Sequence, residues 1–96
     1  MHVAVCRLTL HIYASQSLKD RRRVVVAVCE RLRNKFRISV AEVGGQDTWQ
    51  TAALGIAAVS ADGSRARELV ERAVAYAQEI APEAEVTASE IDLFDY

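Results

Sequence analysis

Apolar and polar residues alternate from the start of the chain, with Ala4, Cys6, Leu8, Leu10 and Ile12 on one side and Val3, Val5, Arg7, Thr9 and His11 on the other. This period of two predicts a strand over residues 2–12 whose even positions face the core. Tyr13 to Gln16 reads as a short loop. Ser17, followed three places on by Asp20, resembles a capping box made with the shorter acid, so a helix is expected to begin there. The period then lengthens: Leu18, Val25, Cys29, Leu32 and Phe36 fall along one stripe at helical spacing.

Residues Ile38 to Val43 are short and β-branched, Gly44-Gly45-Gln46-Asp47 has turn chemistry, and Trp49 to Val59 returns as a long strand, which together predict a hairpin. In its first arm Ile38 and Val40 point one way while Ala41 and Val43 prefer the other, so a bulge is expected. Asp62 or Ser64 can cap a second amphipathic helix carrying Leu69, Val70, Ala73, Val74, Ala77 and Ile80, and Pro82 stops it. Ala84 to Phe94 is again extended, with a change of phase between Val86 and Ile91 that predicts another bulge or bend. The order strand, helix, strand, strand, helix, strand is that of a ferredoxin-like α+β fold: βαββαβ, a four-stranded antiparallel sheet with two helices on one face.

Ninety-six residues, 51% of them hydrophobic, suit a single domain over residues 1–96. No apolar run approaches the ~20 residues of a membrane span and no secretory leader pattern opens the chain, so a soluble cytoplasmic protein without membrane contact is expected. Cys6 and Cys29 read as small buried hydrophobes, and with His2 and His11 they give no zinc spacing. No metal and no cofactor is expected.

Charge alters this bland picture. Arg7, Lys19, Arg21, Arg22, Arg23, Arg31, Arg33, Lys35 and Arg37 face only Asp20 and Glu30 in residues 1–37, a net +7, whereas residues 38–96 carry a net −8. With Leu18 at zero on the helical wheel, Lys19, Arg23, Arg33 and Arg37 lie between about 60° and 140°, in one row with Val26 and Glu30. Arg21, Arg31 and Lys35 border the apolar stripe on the other flank. Cations at this density over roughly 27 Å of helix suit a phosphate backbone, which makes RNA or a ribosomal particle the expected partner. The alternative is that these side chains only snorkel over the stripe into water and partly pair with the acidic C-terminal half. Arg22, at about 40°, lies close to the stripe and is expected to reach a carboxylate such as Asp20 or Glu42.

The sheet face without helices would present Val3, Val5, Arg7, Thr9 and His11 beside Thr51, Ala53, Gly55, Ala57 and Val59. Base stacking in the manner of ferredoxin-like RNA-binding domains needs aromatic residues there, and only Trp49 lies near. A face this small and apolar suits a homodimer interface around Val3, Val5, Ala57 and Val59, unless the tail Phe94 to Tyr96 covers it. Gln46, Asp47, Trp49 and Gln50 form a candidate contact at the hairpin. In the structural version Trp49 pins the hairpin and Asp47 bonds turn amides; in the functional version Trp49 stacks on a base or partner side chain.

Catalysis is not expected. Acylphosphatase-like chemistry needs an arginine in a glycine-rich cradle after the first strand, and that loop is Tyr13-Ala14-Ser15-Gln16-Ser17. Neither serine has an identifiable base, Glu90 and Asp92 share a strand side with nothing to separate their pKa values, and no P-loop or dinucleotide fingerprint occurs.

The stretches Ser17-Leu18-Lys19-Asp20-Arg21-Arg22, Ser39-Val40-Ala41-Glu42-Val43-Gly44, Gln46-Asp47-Thr48-Trp49-Gln50 and Leu54-Gly55 resemble the signature of the YlxP-like family of small bacterial proteins, over nearly the whole chain. The resemblance implies a ferredoxin-like domain of unknown function, with no established activity. The family's gene neighbourhood in some bacteria implies a link to translation and ribosome maturation. Members often carry a histidine after the first hairpin glycine; this chain has Gly45, so no imidazole site is carried over to the turn.

Overall fold

The alternating first segment becomes the middle of a sheet. The computed structural model describes residues 1–13, 15–45 and 48–96. Its elements are β1 (His2–Ile12), α1 (Leu18–Lys35), β2 (Ser39–Gly44), β3 (Thr51–Ser60), α2 (Gly63–Ile80) and β4 (Ala84–Asp95). The four strands make one antiparallel sheet in the order β2-β3-β1-β4. Both helices pack on the same face, α1 over the β2 side and α2 over β1, β3 and β4. The fold is therefore ferredoxin-like α+β.

The even positions of β1, Ala4 to Ile12, are buried, and Ala4, Cys6, Leu8 and Leu10 pair with Ala58, Ile56, Leu54 and Ala52 of β3, forming the floor of the core. Val24, Val25, Val28 and Leu32 of α1 and Ala66, Val70, Ala73 and Ala77 of α2 close it from above. Each large side chain so buried stabilises the fold by about 1.5–3 kcal/mol. Ser17 caps α1 by accepting from the Asp20 amide at 3.1 Å, and Asp62 caps α2 by accepting from Ser64 at 2.9 Å.

Both expected irregularities occur. The β2–β3 register shifts between Glu42 and Gly44, which leaves Val43 unpaired, while plain alternation along β2 already puts Ala41 and Val43 on the open face. The β1–β4 register shifts between Thr9 and Leu10, where Thr87 is the extra residue. At the hairpin turn two boundaries move, and Ile38 lies just before β2. Trp49 and Gln50 belong to the turn and not to the strand, because the Thr48 hydroxyl donates to the Gly45 and Thr51 carbonyls at 3.0 and 3.1 Å and holds the chain back. Gly44 is the last residue of β2, and the sharp bend falls at Gly45, whose φ of 78° is ordinary for glycine and strained for other residues.

Cys6 and Cys29 are both buried as free thiols, and desolvation raises the pKa of each. A raised folded-state pKa favours the fold fully below the ordinary thiol value, and that contribution is lost as pH rises through the folded value. Between pH 8 and pH 10 the urea midpoint of the parent is expected to fall further than that of a Cys6→Ala/Cys29→Ala protein. Equal falls in the two proteins would contradict this account of the thiols.

Candidate cationic face and open sheet surface

The burial pattern rotates α1 relative to the sequence expectation. Leu18, taken as part of the stripe, is 49% exposed, while Arg21, Val24, Val25, Val28, Cys29 and Leu32 are buried. With Leu18 again at zero, these buried residues span about 240° to 20°, so the helix faces the core near 300°, where Arg21 projects.

Arg21 is accordingly 3% exposed, which removes it from the expected solvent-facing cations. Its Nη2 pairs with the Glu42 carboxylate on β2, and its Nε donates to the Thr51 carbonyl of β3 at 2.9 Å. Arg22, expected to make this reach, is exposed instead. A buried guanidinium near a helix start opposes the macrodipole, and Glu42 supplies the compensating charge.

The direction opposite the buried arc lies near 125°, and the row of Lys19, Arg23 and Arg33 sits around it. All three are exposed, as are Arg22, Arg31, Lys35 and Arg37. Among the described residues the ion pairs are Arg21 with Glu42 and the N-terminal ammonium with Asp95, so none of these seven exposed cations is paired with a described carboxylate. Several are steered by other contacts. Arg33 donates to the Val40 carbonyl at 2.6 Å, Arg31 reaches the Ile80 carbonyl at 3.5 Å, and Lys35 stands 4.5 Å from the Tyr76 ring centre. Arg37 follows the helix at its C-terminal end.

On the other side of the sheet, Val3, Val5, Arg7, Thr9 and His11 of β1 stand beside Val59, Ala57, Gly55, Ala53 and Thr51 of β3 in direct register. Ala41, Val43, Gly55 and Ala57 bound a shallow apolar depression of about 300 Å³ that also takes in Val5. Val59 is 63% and Val43 49% exposed, a substantial apolar area to leave in water. The tail does not cover the face. It continues β4 alongside β1, with Tyr96 and Met1 exchanging backbone bonds at 2.6 and 2.7 Å, and Phe94 standing opposite Val3. Phe94, expected as part of a tail folded over this face, instead stands on it as a residue of β4, in phase with Asp92 and Glu90. The guanidinium of Arg7 lies over Gly44, 2.9 Å from where a β-carbon there would be, so a side chain at Gly44 would displace it.

At the hairpin, Trp49 is 55% exposed and does not pin the turn to the body. Gln50 is exposed, and its carbonyl accepts from the Ile12 amide at 2.8 Å. Gln46 and Asp47 lie outside the described residues. The bond-making residue of the described turn is Thr48, which the sequence reading did not single out. At the same end of the sheet Tyr13 donates to Glu85, a bond that raises the phenol pKa, and His11 packs edge-on against Tyr13 at 5.1 Å. A phenol held neutral in this way is a hydrogen-bond donor and not a nucleophile. Ser15 is buried and donates to the Ser17 carbonyl at 3.2 Å, with no base aimed at it among the described residues.

The family profile described as "Protein of unknown function (DUF503)" matches residues 3–91. The chain belongs to this family. It is 39% identical over 83 residues to the "Uncharacterized protein YlxP" of Bacillus subtilis (strain 168), a match covering 86% of this chain and 89% of that one. Among solved structures it is similar to the de novo designed protein Foldit4, with a TM-score of 0.53, 15% identity and coverage of 100% of this chain and 99% of that one. A putative chlorite dismutase, TA0507, matches with a TM-score of 0.57 and 15% identity over 99% of this chain and 45% of that one. A mutant of SnoaB, a cofactor-independent oxygenase from Streptomyces nogalater, matches with a TM-score of 0.51 and 11% identity over 99% of this chain and 92% of that one. These likenesses concern the fold. A designed protein and two natural ones share the chain path without sharing side chains. In this DUF503 protein no helix among the described residues is long and apolar enough to cross a membrane.

Replacing Arg21 by Ala leaves Glu42 half-buried without its partner, and is expected to cost about 3–5 kcal/mol in urea unfolding. Arg22→Ala, on the exposed surface, is expected to change stability by less than about 0.5 kcal/mol. Equal losses for the two variants would place the buried contact wrongly.

Proposed function

We propose that this protein binds RNA, free or within a ribosomal particle, through the exposed face of α1 and acts by binding without catalysing a reaction. The observation that carries this reading is the placement of Lys19, Arg22, Arg23 and Arg33 on the solvent side of the helix, with no described carboxylate within ion-pair distance. Unneutralised cations along one helix face displace condensed counterions from a phosphate backbone. Arg31, Lys35 and Arg37 extend the same charge toward the helix end; Arg21 is a structural residue. Binding of this kind selects for phosphate spacing and not for base identity. A single-stranded RNA of about 20 nucleotides, or isolated ribosomal subunits, should therefore bind at low salt and release as salt rises. Changing Lys19, Arg23, Arg33 and Arg37 to Ala is expected to flatten the slope of log K against log salt by about 2–3, and changing them to Glu to abolish binding. Binding indifferent to salt and to charge reversal would end this reading.

The open sheet supports a second reading, a homodimer formed through Val3, Val5, Ala57 and Val59, because a groove of small apolar side chains with no helix over it is stabilised by a second copy of itself. Arg7 and the carboxylates Glu90 and Asp92 share that face, so a two-fold related copy can oppose unlike charges. Val5→Asp and Ala57→Asp are expected to convert a dimer to a folded monomer in sedimentation. A parent that sediments as a monomer at high concentration would exclude this interface.

A further inference from the structure

A concavity of about 660 Å³ lies away from the ridge of α1, where the end of α1 meets the first half of α2. Four cations bound it: Lys35 and Arg37 from the end of α1, and Arg65 and Arg72 from α2, with Phe36 as the floor and Glu68 as the one carboxylate. Glu68 lies three places after Arg65 and four before Arg72, a spacing that permits ion pairs along a helix. Neither pair is formed. The cleft therefore keeps four positive charges against one negative.

Two of these cations are held in place by aromatic rings. Arg72 sits 6.0 Å from the centre of Phe36, and Lys35 4.5 Å from the centre of Tyr76, while the two rings meet edge-on at 5.6 Å. Phe36 lines the cleft, so its contact positions Arg72 there ahead of a ligand and lowers the cost of ordering it on binding; Tyr76, under Lys35, lies outside the lining. Like charges gathered around one hollow repel each other, and a compact anion relieves that repulsion more fully than water does. The volume is that of a small-molecule site, within the range of roughly 300–1,000 Å³.

We infer that this cleft is a binding site for a group of consecutive phosphates, the triphosphate of a nucleotide or of an RNA 5′ end. A single phosphate neutralises too little of the charge, and a backbone with one phosphate per nucleotide spreads its charge along a line. Three linked phosphates concentrate it at one point, and guanidinium groups meet phosphate oxygens two at a time. The inference goes beyond the ridge reading, because Arg65 and Arg72 lie on α2 and have no part in it.

Calorimetric titration of the full chain with inorganic tripolyphosphate, with ATP and with inorganic phosphate, all without magnesium, tests the site. Tripolyphosphate and phosphate are expected to differ at least about tenfold in affinity. Arg65→Ala/Arg72→Ala is expected to lose at least about tenfold toward tripolyphosphate, whereas Lys19→Ala/Arg23→Ala stays within about twofold. Arg65→Ala alone leaves the Arg72 contact with Phe36 in place, and a loss of about threefold or more in this variant keeps the result independent of any unfolding. ATP, and a short RNA bearing either a 5′-triphosphate or a 5′-hydroxyl, distinguish the two sources; a preference for either triphosphate carrier supports the site. No binding of tripolyphosphate by the parent, or equal losses in the ridge and cleft variants, would overturn it. The ridge reading is judged separately: tripolyphosphate binding without RNA binding would remove the ridge and leave the cleft, and the reverse would do the opposite.

Discussion

The side chain of Arg21 sets how α1 sits on the sheet. Through one guanidinium the helix is tied to Glu42 on β2 and to the Thr51 carbonyl on β3, so the first turns of α1, the middle of one hairpin arm and the start of the other share a single buried contact. Apolar packing alone would tolerate some rotation of the helix, since valine, leucine and cysteine make non-directional contacts. A charged group at this depth does not, because turning it away would leave Glu42 without its partner. With Arg21 fixed inward, a rotation of about 100° per residue sends Lys19, Arg22 and Arg23 outward. The cationic surface is in this sense a consequence of one inward-facing arginine.

The elements themselves were legible in the sequence because periodicity is a strong signal. Strict alternation from Val3 to Ile12 gave β1, Ser17 and Asp62 marked the starts of the helices, and Pro82 follows the end of α2. The conflict of phase among Ile38, Val40, Ala41 and Val43, and that between Val86 and Ile91, both foretold register shifts. The rotation of α1 was not legible. Leu18 is as apolar as Leu32 and falls on the same stripe, yet it is the first residue of the helix and stands 49% exposed. Anchoring the wheel on Leu18 moved the inferred core direction by roughly 50°, enough to exchange Arg21 with Arg22.

The cleft between the helix ends was equally hidden, for a different reason. Arg65, Arg67 and Arg72 are diluted in a segment whose overall charge is strongly negative, so residue counts by half concealed them. The contribution of α2 to a basic site depends on the meeting of its first turns with the end of α1, a tertiary fact that no one-dimensional charge profile contains. At the hairpin the shortfall was local. Thr48 replaced the expected Trp49 anchor because a hydroxyl able to bond both the Gly45 and Thr51 carbonyls stabilises the turn from within, and the indole is then left at the surface.

The charge split along the chain becomes a split in space. The α1 side of the molecule carries Lys19, Arg22, Arg23 and Arg33, while β4, the opposite edge strand, carries Glu85, Glu90, Asp92 and Asp95, all exposed. Acidic side chains on a twelve-residue edge strand discourage the edge-to-edge pairing that a long unpaired strand invites. They also repel a phosphate backbone, so a nucleic acid approaching the protein would be turned toward α1 and away from β4. The open sheet surface points away from both helices. Joining two copies through it would leave both α1 faces outward, so the two readings of this chain occupy different surfaces and do not compete for the same side chains.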